Sequence, residues 1–392
     1  MTEAYISPSD ASLEGFEIES PNGKKLDITD LIVEFNIYES LSAPALRGDI
    51  SLLDAAALYA NLPLMGQEKI TGTIVRGDVR TPVTFYTTTI EDIKNVNDFT
   101  MTYVINLVEE SFFNNAISLI SQSYEGSASE IATSVAEEFL GVEMDADPSN
   151  GNYRLIVPNW NPLYVLRWLT QRAVGENNIP FVCFSTWRNG LKFKSLKTLF
   201  DQEVVDEYYY NRRRNEEQSE SAIQEGDASM ARETVQTAEI FYPTMVAPTI
   251  DLLQKGAYGS TNILADILYK TVDTSEFNYE SYYQSGAHLS KKSAIHPNFR
   301  VNGQPVSEHV GTRQNVFFHS SKSFGDSHSN FNATSLDTVP FRVSYLETLK
   351  NFQYKLGIKG RSDIEVGKNV NLILTKNRIA DENNTDEIID DR

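Results

Sequence analysis

The residues best able to do chemistry are the histidines. All five, His288, His296, His309, His319 and His328, fall within 41 consecutive positions. Metal sites of soluble proteins often take two ligands at short spacing, so that one element presents both. Here 7, 12, 9 and 8 residues separate successive histidines, and no cysteine joins them. Three readings fit this cluster: a metal site, a histidine-bearing contact surface, and ordinary loop composition. The spacing argues against the first, so no metal and no cofactor is expected. The surrounding segment, Ser281–Ser335, holds five basic and two acidic residues. With Lys291 and Lys292 beside His288 and His296, it is a candidate loop for docking against an acidic face of a partner.

Motifs of catalysis are absent from the sequence. It contains no Gly-rich phosphate loop closing on Gly-Lys-Ser/Thr, no Gly-x-Ser-x-Gly elbow and no His-Glu-x-x-His helix. With 54 acidic residues, sequence-near carboxylate pairs arise by accident. A glycosidase pair is defined by a separation in space that sequence does not carry. The single cysteine, within Phe181-Val182-Cys183-Phe184, reads as a buried strand residue and not as a reactive thiol. No catalytic residue is nominated, and no enzyme is expected.

The chain around these residues has 392 positions, with 34 Lys and Arg against 54 Asp and Glu, for a net charge of −20. Hydrophobic residues make up 41% and aromatics 11%, enough for real cores and too much for a disordered chain. The length suits roughly two to three domains. The acidic balance excludes a protein that grips a nucleic-acid backbone, which needs clustered Lys and Arg. One cysteine excludes an intrachain disulfide framework. The longest uninterrupted apolar run, Ala55 to Ala60, is far too short to span a membrane. Met1-Thr2-Glu3-Ala4-Tyr5 has neither a basic start nor an apolar run, so no secretory signal is expected and synthesis in the cytoplasm is.

Residues up to about 110 read as strands. Phe16 and Ile18 alternate with polar neighbours, and Asn22-Gly23 supplies a tight turn. Leu31, Val33, Phe35 and Ile37 form one face of a strand. After a turn near Pro44, Ile50 and Leu52 form one face of the next. The dry face of this pair is thus expected to carry Val33, Phe35, Ile50 and Leu52, and the opposite face Glu34, Asn36, Asp49 and Ser51. Lys69–Val75, Phe85–Ile93 and Thr100–Val108 continue an antiparallel sheet with one dry and one wet face, and Ala55–Ala60 reads as a short helix. Ser127 to Glu130 is a capping box opening a helix through Ile131, Val135 and Phe139 to a stop at Gly141. Asn161-Pro162 opens another, with Leu166, Leu169 and Ala173 on one face and a Trp160–Val165 staple. Asn189-Gly190 sits between two strand-like runs, the strongest hairpin signal in the chain. Residues 203–239, with ten acidic and four basic residues, read mostly as a solvated linker. Strands return at Ile240–Val246, Phe341–Leu346, Phe352–Ile358 and Asn369–Thr375, while Ser281–Ser335, with eleven serines, shows little periodicity. A glycine turn leading into a strand occurs twice, at Leu64–Ile70 and at Glu365–Val370.

Several stretches, in order, resemble the baseplate hub proteins of contractile-tailed phages. These are Asp30 to Glu34 through Tyr38-Glu39-Ser40-Leu41, then Pro44, Gly48-Asp49-Ile50 and Asp54, followed by Leu62 to Glu68. Val157-Pro158-Asn159-Trp160-Asn161-Pro162 with Trp168-Leu169 is similar to the family's central domain, and Leu253 to Ser260 with Asp266, Lys270 and Tyr279 to its later part. The resemblance implies an α+β, mainly β fold: two tube-type antiparallel β-barrel-like domains flanking a smaller α+β domain. It implies boundaries at 1–111 for the first tube-type domain, 112–202 for the α+β domain, and 203–280 for an acidic linker and the start of the second tube-type domain. An irregular Ser/His-rich insertion follows at 281–335, the rest of the second domain at 336–379, and an acidic tail at 380–392. The insertion and the early C-terminus depart from the family's pattern.

By the same resemblance the chain is expected in the virion as a homotrimer. Such a ring would join a sixfold tail tube, or a tube-initiator protein, to a threefold central spike, with other baseplate proteins around it. DNA would pass without specific binding, and Glu34, Asn36, Asp49 and Ser51 are the candidate channel-lining residues. Two other functions stay open on the sequence: a tail-tip cell-wall hydrolase and a host-surface adhesion module.

Overall fold

The computed structural model describes residues 11–56, 58, 62, 64–210, 236–284, 286–290, 293–296, 298–309, 313–318, 333–361 and 363–374. The expected helix over Ala55–Ala60, most of the acidic linker and the acidic tail lie largely or wholly outside these residues. The chain is α+β and mainly β, as expected, and divides into two units. One is built from Ser9–Ala173 and Phe181–Lys194, the other from Val174–Pro180 and Ser195–Arg392.

The first unit is organised by a seven-stranded sheet. Its strands are β1 (Ala11–Glu19), β2 (Lys25–Asp27), β3 (Ile32–Tyr38), β4 (Arg47–Asp54), β5 (Lys69–Arg76), β6 (Val79–Asn97) and β7 (Thr100–Val108). They lie in the order β2-β1-β5-β6-β7-β4-β3, every pair antiparallel. Alternate residues supply one core: Phe16 and Ile18, Ile50 and Leu52, Val83 and Phe85, then Tyr103, Ile105 and Leu107. Phe16 meets Phe35 edge-on at 5.4 Å, and Phe35 meets Phe85 at 6.1 Å. Gly72 in β5 leaves room for Phe16: a Cβ there would stand 2.4 Å from the ring. A glycine inside a strand marks this kind of close approach.

Val33 is the exception to the alternation. The register steps from Ile32 opposite Leu52 to Glu34 opposite Ser51, so β3 carries one extra residue, a β-bulge. Ile32 therefore packs on the core in place of Val33, which is 67% exposed. The expected dry face is corrected at this one position.

The rest of the unit is the α+β portion. The Ser127 capping box is present, with Glu130 N–H donating to Ser127 Oγ at 3.2 Å and Ser127 N–H to Glu130 Oε2 at 2.8 Å. The helix Ala128–Val135 then widens into a π-turn over Ala136–Leu140 and stops at Gly141, φ 70°. The extra residue of the π-turn shifts the buried position from Phe139 to Leu140. The helix Pro162–Thr170 buries Val165, Leu166 and Leu169. Asn161 does not cap it. Its side-chain amide donates instead to the carbonyls of Asn115 (2.9 Å) and Ser118 (3.2 Å), and Trp160 packs on Tyr164 and Trp168. Short strands β8 (Ser123–Gly126), β9 (Met144–Ala146) and β10 (Tyr153–Ile156) precede β11 (Phe181–Thr186) and β12 (Gly190–Ser195). β8 pairs with β10, and β12 lies between β11 and β9. Cys183 is buried in β11, and burial pushes its thiol up to about 12, as the strand reading requires.

Two carboxylates fasten this portion to the seven-stranded sheet. Trp187 N–H donates to Glu39 (2.7 Å), and Ser185 Oγ donates to Glu109 (3.2 Å), while Ser185 N–H reaches the Ala43 carbonyl (3.0 Å). Burial pushes the Glu109 carboxyl above its ordinary range, although Ser111 and Ser185 both donate to it.

The second unit divides its strands among small sheets. β13 (Val204–Tyr210), β14 (Ile240–Val246), β15 (Gly259–Asp266) and β16 (Thr271–Asn278) come first. The short β17 (Arg300–Val301) and β18 (Gln304–Pro305) follow, then β19 (Gln314–Phe318), β20 (Phe352–Gly357) and β21 (Asn369–Leu374). β13 pairs in parallel with β21, β14 in antiparallel with β20, and β15 lies between β16 and β19. Three expectations are corrected here. Part of the supposed linker is β13. Phe341–Leu346 belongs to the helix Ala333–Thr348, which buries Thr338 and Tyr345, two turns apart, behind an apparent strand alternation. The segment 281–335 is not without structure: Ile295 and Val306 enter a core with Leu252, Tyr258, Phe277 and Tyr279.

Candidate functional site

The outer face of the seven-stranded sheet carries all four candidate channel-lining residues. Asn36 lies opposite Asp49, and Glu34 opposite Ser51. The Asn36 amide donates to Glu34 Oε1 and to Asp49 Oδ2, both at 3.0 Å, and Tyr38 donates its hydroxyl to Asp49 Oδ1 at 2.5 Å. That bond to a carboxylate pushes the Tyr38 hydroxyl above its ordinary range. The two acids are held apart by a neutral amide, which is how like charges coexist on adjacent strands.

Strand order extends this row beyond what the sequence reading nominated. Asp49 lies opposite Asn106 of β7, and Asn106 opposite Thr89 of β6, whose hydroxyl accepts from the Asn106 amide at 2.8 Å. Thr89 in turn donates to Glu91 at 3.2 Å. A third carboxylate therefore joins Glu34 and Asp49 on a continuous polar surface. The only signal that could have placed Glu91 and Asn106 here is the pairing of four strands.

The other end of this face is covered. The helix Glu110–Ile117 lays Phe112 against the Arg47 guanidinium (5.4 Å) and Phe113 against Tyr86 (5.6 Å, edge-on). The open part is the acidic corner, while at the covered end Lys69 lies over the Tyr86 ring at 5.8 Å.

Of the docking-loop candidates, His288, His296 and His309 are described; Lys291, Lys292, His319 and His328 lie outside the described residues. Each described histidine braces its own loop. His288 stacks on Tyr283 (4.1 Å) with Nδ1 2.7 Å from the Ser290 carbonyl. His296 Nδ1 accepts from Asn298 N–H at 3.2 Å, and His309 Nε2 lies 3.4 Å from the Val301 carbonyl. His288 and His296 are exposed, and His309 is half-buried. Among the described residues, no group of three or more His, Cys, Asp or Glu could hold a metal ion, and no helix is long and apolar enough to cross a membrane.

No protein-family model and no curated protein matches the chain. Among solved structures, the fold is similar to that of the 43 kDa tail protein of prophage MuSo2 from Shewanella oneidensis. The TM-score is 0.52 at 11% identity, over 93% of this chain and 88% of that one. A tail protein from Neisseria meningitidis MC58 aligns with a TM-score of 0.49 at 9% identity, over 93% and 87%. At such identity the likeness to the prophage protein is one of fold, and it extends over nearly the whole chain.

Proposed function

We propose that this chain is a structural component of a phage tail, the hub of its baseplate. Three copies would form a ring between the tail tube and a central spike, and line part of the channel through which DNA leaves. The observation that carries this reading is the fold likeness to a prophage tail protein over 93% of the chain. The ordered residue matches from Asp30 to Tyr279 support the hub in particular. In this reading the loop around His288, His296 and His309 docks on a neighbouring tail protein. The ring is tested by native mass spectrometry of the purified protein. The expected assembly is three times the 44.1 kDa chain. A monomer at every accessible concentration, even with spike protein added, overturns it.

The acidic corner is the channel lining of this reading. Two like charges 10 Å apart repel by only ~0.4 kcal/mol in water, and salt screens beyond ~8 Å. Repeated around a ring, Glu34, Asp49 and Glu91 suffice to keep phosphates from settling. A basic lining would hold the backbone and stall it. Glu34→Lys with Asp49→Lys, in particles that assemble normally, is expected to slow genome ejection and make it salt-sensitive. Ejection kinetics equal to wild type would remove this face from the channel.

A further inference from the structure

Strand β6 outruns its sheet. Its first half, to Tyr86, pairs with β5; from Tyr86 onward it pairs only with β7. Every residue of β6 from 91 to 97 is exposed, and beyond the Asn95–Met101 pair, where β4 ends, the β6–β7 tip stands as a two-stranded ribbon. A solvated strand end is normally polar, and a two-stranded ribbon is marginal alone. This one nevertheless holds Ile93 and Val96, and at its tip Phe99, 88% exposed. Glu91, Asp92 and Asp98 outnumber Lys94 on it, and Lys94 is already paired with Asp92 at 3.7 Å. It is an apolar, acidic prong.

The same unit carries a surface of opposite character. Trp160, Tyr164, Trp168 and Arg172 recur every four residues, from just before the helix Pro162–Thr170 to just past its end. Trp160 meets Tyr164 edge-on at 4.9 Å and Trp168 at 6.0 Å, and the Arg172 guanidinium lies 3.7 Å over the Trp168 ring. Tyr164 is 51% exposed, and Arg167, one turn on, is exposed too. Ile117, 80% exposed, adjoins the stripe, because Asn161 holds the Ser118 carbonyl and Ile120 bridges to Trp160. In a chain of net charge −20, residues 148–175 contain three arginines and no acidic residue.

We propose that the β6–β7 prong of one copy docks on the aromatic–arginine stripe of the next, an inference that rests on the ring proposed above. The occupant is a second copy because this chain supplies both complementary halves, an acid-rich apolar tip and an acid-free aromatic face with unlike charge. Phe99 is the aromatic anchor, and Asp98 faces Arg167. Each copy then offers one prong and one stripe, a head-to-tail contact that closes into a ring when the rotation permits.

The test uses the full chain. Phe99→Asp is expected to weaken self-association about 30-fold, the loss typical of a central aromatic anchor. Asp98→Lys and Arg167→Asp are each expected to weaken it, and the two together to restore part of the loss. A photoactivatable phenylalanine analogue at position 99 is expected to cross-link to the region 115–172 of another copy. Because Phe99 is exposed, an unchanged circular dichroism spectrum and thermal transition verify that the variants fold. A trimeric wild type whose Phe99→Asp form associates as tightly as the wild type overturns the contact and leaves the ring intact. A wild type that stays monomeric brings down the ring reading itself. Cross-links only to a different tail protein give the prong to that partner and overturn the proposal.

Discussion

Glu68→Ala lowers the stability of the first unit by about 3–5 kcal/mol, since it strands three backbone donors at once. Glu68 is fully buried, and its carboxylate accepts from the N–H groups of Met65 (2.6 Å), Gly66 (3.1 Å) and Gln67 (3.1 Å). These donors belong to the turn that leads into β5, where Gly66 holds φ at 79°. An alanine removes the acceptor of all three. Glu68→Gln keeps one carbonyl oxygen and is expected to lose roughly half as much. Urea unfolding followed by tryptophan emission reads this unit alone, because all three tryptophans, Trp160, Trp168 and Trp187, lie within it. A shift below about 1 kcal/mol for the alanine variant would mean that the turn finds other acceptors.

Arg361→Met is expected to cost the second unit about 3–5 kcal/mol, the usual loss when one partner of a buried ion pair is removed. Arg361 bonds Asp206 through one nitrogen and Asp363 through Nε at 2.8 Å, and Asp206 is buried. Burial by itself pushes the Asp206 carboxyl up, but donation from Gln236, the Glu207 backbone and Arg361 outweighs it and holds the carboxyl below its ordinary range. A carboxyl lowered by folding stabilises above its unfolded value, near pH 4, and that stability is lost as pH falls through the folded value. Wild-type stability of this unit is therefore expected to drop below about pH 4, and Arg361→Met to flatten that acid limb. The unit holds no tryptophan, so a far-ultraviolet circular dichroism transition separate from tryptophan emission follows it. A variant with the wild-type acid limb would show that Asp206 is held by its other donors.

The candidate site was partly legible. Glu34, Asn36, Asp49 and Ser51 fall on one face because a strand alternates its side chains, whatever it pairs with. Asn106, Thr89 and Glu91 complete that face only through the order β6-β7-β4-β3, in which residues some 50 positions apart become neighbours. Helix caps were legible where both partners are local, as at Ser127 and Glu130. At Asn161 the reading failed, because the side chain turned to carbonyls more than 40 residues away.

The sequence by itself determined the mainly β class, the acidic wet face, the Asn189-Gly190 hairpin and the buried strand around Cys183. Each rests on local periodicity, turn chemistry or residue order. Tertiary structure alone decided the bulge that expels Val33 and the helix over Phe341–Leu346. It also decided β15, whose buried alternate positions are Ser260, Asn262, Leu264 and Asp266. That strand is hidden from a hydrophobicity reading because its inward face is largely polar, with Asn262 bonded to Asn315 of β19 at 2.8 Å. Period belongs to the backbone and is written in neighbouring residues. Which partner satisfies a buried polar group depends on chains brought together only by folding.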